Sequence, residues 1–404
     1  DVLVAGFRES PELARRLCVL LGTSRQVGQL IGRHPELAVS LADDAEMAAE
    51  TPAEVRERAI LASDTPRPVP ALRHATETAV LRIIANDVLA DVPSEHTAAR
   101  LADVGDAVIA AALHAVSPRV PMGVVALGRL GGQELSYGSD LDVLLVYEGE
   151  GAADAAAAEE AAVGLFRLIN GVTPAERIWT VDASLRPWGR QGPLARSLDA
   201  YRQYYERWGE TWERQALLRA RPLAGDPGVL ARFMEIAERA VWERPFGADE
   251  TRAVRQMKAR TERERIPSGE DPQFHLKLGK GSLADVEWTA QLLQLQHGVR
   301  AANTLAALRA LGTAGQLDGA AVTVLSEAYR FLTTARNRWH LIGNFVAGAG
   351  GVVSPIGSDS LPSDRSALAT LGRSLGSDPT ELREAYRRVT RRARRVVEER
   401  FYGL

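Results

Sequence analysis

The chain has 404 residues, of which 46% are hydrophobic and 25% are charged, and its formal net charge is −3. That length favours two or three domains with a sizeable hydrophobic core, and the nearly neutral charge excludes a general electrostatic attraction to nucleic acid. A single cysteine excludes an intrachain disulfide and a paired-cysteine metal site, and no apolar run is long enough to span a bilayer. We therefore expect a cytoplasmic protein that binds neither nucleic acid nor membranes. Residue 1 is not methionine, which is compatible with an excised part of a longer protein.

The first 115 residues carry helix signals. Apolar residues recur at helical spacing over 72–90, and a second long helix is predicted over 94–116. The stretch Thr51-Pro52-Ala53-Glu54 has the spacing of a capping box, which closes the first turn of a helix. A proline-rich stretch at 116–121 then ends this pattern. We predict an N-terminal helical region over residues 1–119.

The middle of the chain changes to short apolar runs that are typical of strands. The predicted order is strand 123–128, loop 129–139, strand 141–147, helix 153–170 and strand 178–182. This order indicates a small α+β unit, which we place at residues 120–225. The first two strands are apolar throughout rather than alternating, so both faces of the sheet should be covered by helices.

From Ser197 onward the helical signals return. Helices are predicted over 198–205, 208–221, 226–244, 249–265, 283–297, 318–346 and 379–401. Loops rich in glycine, serine and proline are predicted at 267–272 and 348–362. The expected fold class is therefore α+β and mostly helical, with a small mixed sheet, and its third segment is a C-terminal helical domain over 226–404.

The strongest chemical signal is a pair of carboxylates at the start of the second strand. Residues two apart in a strand point to the same face, so Asp140 and Asp142 should project together while Leu141 enters the core. Two carboxylates on one face repel each other, and their oxygen ligands suit Mg²⁺. Gly131 and Gly132, just upstream, allow a backbone to approach an anion closely. A phosphate cradle beside a carboxylate metal site is the arrangement for transfer of a phosphorus group.

The residues around this pair resemble a known family. The stretch 126–142, ALGRLGGQELSYGSDLD, resembles the nucleotidyltransferase signature of glutamine synthetase adenylyltransferase, a member of the DNA polymerase beta superfamily. Three further blocks are similar to that family: 182–194, 212–226 and 275–288. The resemblance is densest between about 120 and 300 and implies a DNA polymerase beta-type nucleotidyltransferase core.

The resemblance implies a role for each matching residue. Asp140 and Asp142 would hold Mg²⁺ against the phosphates of ATP, and Asp182 would complete the metal site and accept the proton of the attacking hydroxyl. The residues that would contact the nucleotide are Gly131, Gly132, Ser139, Arg186, Arg219, Lys277 and Lys280. Lys258, Lys277 and Lys280 are the only three lysines of the chain, and two of them fall in this set, which is either chance or a site that favours a compact ammonium.

The family's full protein has two homologous halves. One half attaches AMP to a tyrosine of glutamine synthetase and releases pyrophosphate, and the other removes it by phosphorolysis to give ADP. The single signature indicates one half, and the terminal helix at 381–401 together with Asp285 favours the C-terminal, adenylylating half of an actinobacterial type. Two alternatives stay open: the deadenylylating half, and a non-catalytic module that senses nitrogen by binding a PII-type signalling protein.

Several other features favour structural roles. Trp208 and Trp212 are one helical turn apart and are interpreted as core residues. The arginine-rich run 387–395 is interpreted as the solvated face of an amphipathic helix. The seven histidines lack the spacing of a zinc motif.

Overall fold

A computed structural model describes residues 10–48, 50–268, 270–343 and 359–404. Of the loop predicted at 348–362, residues 348–358 lie outside the described residues. Within the described part, no helix is both long and apolar enough to cross a membrane.

The N-terminal region is helical, as predicted. Its helices are α1 (Pro11–Thr23), α2 (Arg25–Arg33), α3 (Asp44–Met47), α4 (Pro52–Ser63), α5 (Pro68–Leu89) and α6 (Ser94–Val116), with a 3₁₀ helix at Pro35–Ala42. The capping box predicted at Thr51 and Glu54 is present at the start of α4.

One five-stranded mixed sheet occupies the middle of the described chain. Its strands are β1 (Met122–Ala126), β2 (Leu141–Tyr147), β3 (Val181–Asp182), β4 (Ala195–Ser197) and β5 (Arg221–Gly225). The order is β3-β2-β1-β5, and β4 pairs with the later part of β2. β1 is antiparallel to both β2 and β5, whereas β3 and β4 are parallel to β2. The second predicted strand has the observed bounds, but β4 and β5 were not predicted as strands.

Helices surround this sheet along the rest of the chain. Four belong to the central region: α7 (Gly128–Gly131), α8 (Gly151–Asn170), α9 (Leu198–Arg207) and α10 (Thr211–Leu217). Those that follow are α11 (Pro227–Trp242), α12 (Ala248–Arg265), α13 (Leu283–His297), α14 (Thr304–Thr313), α15 (Gly319–Gly343), α16 (Arg365–Ser374) and α17 (Pro379–Val397). Short 3₁₀ helices lie at Gly189–Gln191 and Pro272–Phe274, and a π-helical turn at Glu398–Tyr402 follows α17.

Both faces of the sheet are buried, which confirms the prediction made from its apolar strands. Val124 and Val143 belong to a core that includes residues of α5, α6 and α8. Val125 and Leu144, on the opposite face, share a core with residues of α9 and α11. The hydrophobic packing therefore continues across residues 119/120 and 225/226, and the division into three domains stays a prediction.

A buried charged cluster fixes the segment that precedes α13. Asp285 is completely buried and accepts hydrogen bonds from Lys258 and from the backbone N–H of Gly281, the latter at 2.6 Å. Arg394 of α17 pairs with the same carboxylate at 3.2 Å. Lys258 is thus a structural lysine, and the turn that carries Lys277 is attached to both α12 and α17.

Candidate functional site

Three carboxylates meet at the start of β2. In the parallel pairing of β2 and β3, Asp142 lies directly opposite Asp182, and Asp140 precedes Asp142 by two residues, on the same face. The backbone N–H and the hydroxyl of Ser184 donate to the two carboxylate oxygens of Asp182 at 2.7 and 2.9 Å, which hold that carboxylate in place. The structure therefore brings together the three acidic residues that the sequence singled out.

These carboxylates disfavour one another's ionisation. Burial, followed by the charges of Asp182 and Asp140, raises the pKa of Asp142 to about 7. Burial and Asp182 also raise the pKa of Asp140. A cation among these oxygens would relieve the repulsion, and an all-carboxylate donor set is the kind that Mg²⁺ takes. The residues present fit the Mg²⁺ that the sequence predicts.

A tight glycine turn follows β1 and packs on the carboxylates. Gly128 has φ +53°, and a Cβ at this position would lie 2.1 Å from Oδ2 of Asp142. A Cβ at Gly131 would lie 2.0 Å from the carbonyl oxygen of Arg219. The sequence predicted a role for Gly131 and Gly132 but not for Gly128. The available signal for Gly128 was its place at the end of an apolar run, where a strand gives way to a turn. The N–H groups of Gly131 and Gly132 bind the carbonyls of Leu127 and Gly128, so these two glycines allow close backbone packing.

The loop that leads to Asp140 is held by a side chain from a distant helix. The hydroxyl of Ser139 accepts from the N–H of Ser136 at 3.0 Å, so it shapes the loop itself. Arg336 of α15 donates to the hydroxyl of Ser136 at 2.6 Å and pairs with Asp359 at 2.6 Å. Arg336 was not predicted as a site residue, because 200 positions separate it from Ser136.

The two predicted arginines have different surroundings. The guanidinium of Arg186 donates to the backbone carbonyls of Ala183, Gly192 and Pro193 at 2.7–2.9 Å, which favours a structural role in that turn. Arg219 pairs with Glu134 at 3.0 Å and also lines the large cleft beside the glycine turn.

That cleft has a volume of about 690 Å³ and lies between the sheet and the C-terminal helices. Its lining from the central region includes Gly128, Ser184 and Arg219, and its opposite side includes Lys277 and Glu287. A cavity of this size accommodates a nucleotide.

The two candidate lysines differ in position. Lys277 lines the cleft, and its positive charge opposes the rise in the pKa of Asp140 and of Asp142. Both lysines are exposed, but Lys280 is not part of the cleft lining.

The sequence did not predict an ion pair that lies beside the cleft. Arg129 pairs with Glu287 at 2.6 Å across 158 positions of the chain. This pair joins the glycine turn to α13, and spacing along the sequence carries no signal for such a contact.

The tryptophan interpretation was wrong at two positions. Trp208 is 53% exposed, and Trp212 lines the cleft rather than a core. The arginine-rich helix does have the predicted arrangement, since Ala393 and Val397 are buried and Arg387 and Arg391 are exposed.

Comparison with known proteins relates the chain to one family of enzymes. A family model described as glutamate-ammonia ligase adenylyltransferase matches residues 14–236, and one described as PII-uridylyltransferase matches residues 251–402. Bifunctional glutamine synthetase adenylyltransferase/adenylyl-removing enzymes from Streptomyces avermitilis, Leifsonia xyli and Mycolicibacterium smegmatis are each 37% identical over 98% of this chain. The chain spans 43%, 40% and 41% of those three proteins, respectively. Because the first family model covers more than half of the chain, the protein belongs to the glutamate-ammonia ligase adenylyltransferase family.

Proposed function

We propose that this chain transfers AMP from ATP to a tyrosine hydroxyl of glutamine synthetase and releases pyrophosphate. The observation that carries the proposal is the meeting of Asp140, Asp142 and Asp182 beside Gly128 and Ser184, two residues that line a cleft large enough for a nucleotide. The names of the relatives identify glutamine synthetase as the protein that they modify, and we assign the same substrate to this chain.

The chemistry is a single displacement at phosphorus. The tyrosine oxygen forms a bond to the α-phosphorus of ATP, the bond from that phosphorus to the bridging oxygen breaks, and pyrophosphate leaves with the electron pair. A tyrosine hydroxyl has a pKa of about 10 and needs a base at neutral pH. We assign its proton to Asp182, whose carboxylate Ser184 orients.

The same carboxylates would hold the metal that the family implies. Asp140, Asp142 and Asp182 would bind Mg²⁺, which when bound supplies positive charge to the phosphates. Lys277, on the opposite wall, would neutralise pyrophosphate as it forms, and Arg219, which also lines the cleft, would support the phosphates. Gly131 and Gly132 would act indirectly, by allowing the close backbone packing that shapes the glycine turn.

Removal of AMP from glutamine synthetase is the second candidate function. In the adenylyl-removing reaction, an oxygen of inorganic phosphate would attack the same phosphorus, the tyrosine would leave, and ADP would form. The bifunctional names of the relatives favour keeping this alternative. The second family model, described as PII-uridylyltransferase, supports a PII-type protein as a regulatory partner of residues 251–402.

A two-armed assay tests the proposal. In one arm the chain is mixed with glutamine synthetase, labelled ATP and Mg²⁺, and label on glutamine synthetase is measured. In the other arm it is mixed with adenylylated glutamine synthetase and phosphate, and ADP is measured. We expect label in the first arm, and we expect Asp142→Asn to reduce it at least a hundredfold while exposed Asp249→Asn leaves it unchanged.

Each other result points to a different function. ADP in the second arm with no label in the first would make this chain the adenylyl-removing half. Activity in neither arm would favour a binding module.

A further inference from the structure

A second group of metal-ligating side chains lies in the N-terminal region, outside the cleft lining. His34 connects α2 to the 3₁₀ helix Pro35–Ala42, Glu36 lies in the first turn of that 3₁₀ helix, and His74 lies on α5. One ligand atom from each residue lies within 4.8 Å of one from each of the others. Because 40 positions separate His34 from His74, no local spacing predicts this group.

The distances within the group match those between the ligands of a tetrahedral metal ion. Nδ1 of His34 lies 3.3 Å from Nδ1 of His74 and 3.5 Å from Oε1 of Glu36. Zinc binds imidazole nitrogen at about 2.0–2.1 Å and carboxylate oxygen at about 2.0–2.2 Å, so two ligands of a tetrahedral zinc ion are about 3.3–3.5 Å apart. Both measured distances agree with this spacing, and the side chain of Glu36, which is 61% exposed, is free to turn toward an ion.

A buried carboxylate selects the nitrogen of His34 that would bind the metal. Glu77 on α5 is completely buried, and its Oε2 lies 2.7 Å from Nε2 of His34. Oε2 has no aligned hydrogen-bond donor among the described residues, so this contact is bent. Lone pairs on both atoms would repel at this distance, so the proton of the neutral imidazole belongs on Nε2 and Nδ1 keeps its lone pair. A carboxylate behind a metal-binding histidine is a common feature of zinc sites.

The two neighbouring arginines pair with this carboxylate. Arg33 and Arg73 contact Oε1 of Glu77 at 2.7 and 3.0 Å. The formal charges of these arginines are balanced by Glu77 and Glu36. They therefore leave no excess positive charge that would repel a cation.

Hydrophobic packing holds the ligand residues near one another without an ion. Leu37 and Ala38, directly after Glu36, are buried in the same core as Leu72 of α5. Pro35 also restricts the backbone of the preceding residue, His34. A metal ion would thus join two elements that already pack together, which lowers the cost of ordering its ligands.

We propose that His34, Glu36 and His74 form a binding site for Zn²⁺, with water at the fourth position. Two imidazoles and one carboxylate with an open position are a donor set that zinc takes in proteins. The bound ion would link the 3₁₀ helix to α5 and stabilise the N-terminal helices against unfolding. The inference does not rest on the proposed function, because no residue of this site lines the cleft.

The test measures Zn²⁺ binding to the full chain by calorimetry, in an excess of Mg²⁺ that competes for the carboxylates at the start of β2. We expect one Zn²⁺ per chain, a higher melting temperature with Zn²⁺, and an X-ray absorption spectrum of zinc with two imidazole ligands. His74→Ala should weaken binding about a hundredfold and Glu36→Gln about tenfold. His96→Ala is the matched control and should change neither binding nor the spectrum, because His96 is exposed on α6.

Three results would overturn the site. They are no Zn²⁺ binding by the unmodified chain, unchanged binding in folded His74→Ala or Glu36→Gln, and a sulfur ligand in the spectrum, which would assign the ion to Cys18. If His74→Ala does not fold, the exposed position of Glu36 makes Glu36→Gln the deciding variant.

One further variant separates this site from the proposed function. Asp142→Asn should lose AMP transfer but keep Zn²⁺ binding. Loss of Zn²⁺ binding in that variant would assign the ion to the carboxylates of β2 and overturn the proposal. Zn²⁺ binding without any AMP transfer by the unmodified chain would leave the zinc site standing and remove the proposed function.

Discussion

Asp142 has the most perturbed environment among the three carboxylates of the site. It is partly buried, it lies opposite Asp182, and Asp140 is two residues away, and each of these raises its pKa. The protein therefore maintains an unfavourable cluster of charge behind Gly128, which lines the cleft. Such clusters are characteristic of functional sites, because a bound ligand of opposite charge neutralises the repulsion between the side chains.

We predict that the two candidate lysines differ in function. Lys277→Ala should raise the KM for ATP about tenfold, because Lys277 lines the cleft and its charge acts on Asp142. Lys280→Ala should change the KM less than threefold, since Lys280 does not line the cleft. Steady-state kinetics and thermal denaturation of both variants check this. A fall in the melting temperature of Lys277→Ala with unchanged kinetics would show a structural role instead.

The carboxyl group of Asp103 should make the free energy of unfolding depend on pH. Burial, then the charge of Asp106, raises the pKa of Asp103 to about 6 from its usual 3.8. The folded state thus binds this proton more tightly than the unfolded state, so the contribution to stability is present below pH 3.8 and is lost as the pH rises through 6.

Asp103→Asn should accordingly stabilise the protein by about 1–2 kcal/mol at pH 8 and by almost nothing at pH 4. Urea denaturation at the two pH values measures this, with Asp249→Asn as an exposed control. Equal effects at both pH values would contradict the assignment to ionisation.

At the scale of elements, the turn between β1 and α7 places the site. Gly128 adopts a positive φ and leaves no space for a side chain beside Asp142. The chain can therefore pass from the strand into the short helix while the carboxylate stays at the sheet edge. A conformational requirement and a steric one coincide at this residue.

Two glycine substitutions separate these requirements. Gly128→Ala should lower AMP transfer at least a hundredfold, because its Cβ would displace the carboxylate of Asp142. Gly151→Ala has the same conformational cost, since its φ is +78°, but a Cβ there has nothing within 4 Å. We expect it to lose about 1 kcal/mol of stability with activity retained. Transfer assays and denaturation of both variants check this; equal loss of activity in both would argue that strain, rather than the clash, is decisive.

At the scale of the whole molecule, the sheet depends on helices from both sides. Val124 and Val143 pack in one core with N-terminal helices, and Val125 and Leu144 pack in another with α9 and α11. Arg338 of α15 also pairs with Asp87 of α5 at 3.0 Å, so the C-terminal helices contact the N-terminal ones directly.

A fragment comparison tests this dependence. Residues 120–225 alone should show no cooperative thermal transition, because they lack α5, α6 and α11, which cover both faces of the sheet. Residues 10–245, which contain these helices, should unfold cooperatively. Circular dichroism with heating distinguishes the two. A cooperative transition in the short fragment would establish 120–225 as an independent domain.

The sequence by itself determined the local elements and the catalytic candidates. Strand β2 and helix α13 have the predicted bounds, because apolar periodicity and capping residues act over a few positions. The carboxylates Asp140 and Asp142 were predicted as neighbours because the strand period places them on one face.

Only the tertiary structure decided which distant residues meet at the site. Arg336 reaches Ser136, Glu287 reaches Arg129, and Gln215 pairs with Gln291, each across 76 to 200 positions. These contacts depend on how helices pack on the sheet, and packing is set by the burial of whole apolar faces rather than by any local pattern. For the same reason Trp212, which helical spacing assigned to a core, lies in the cleft.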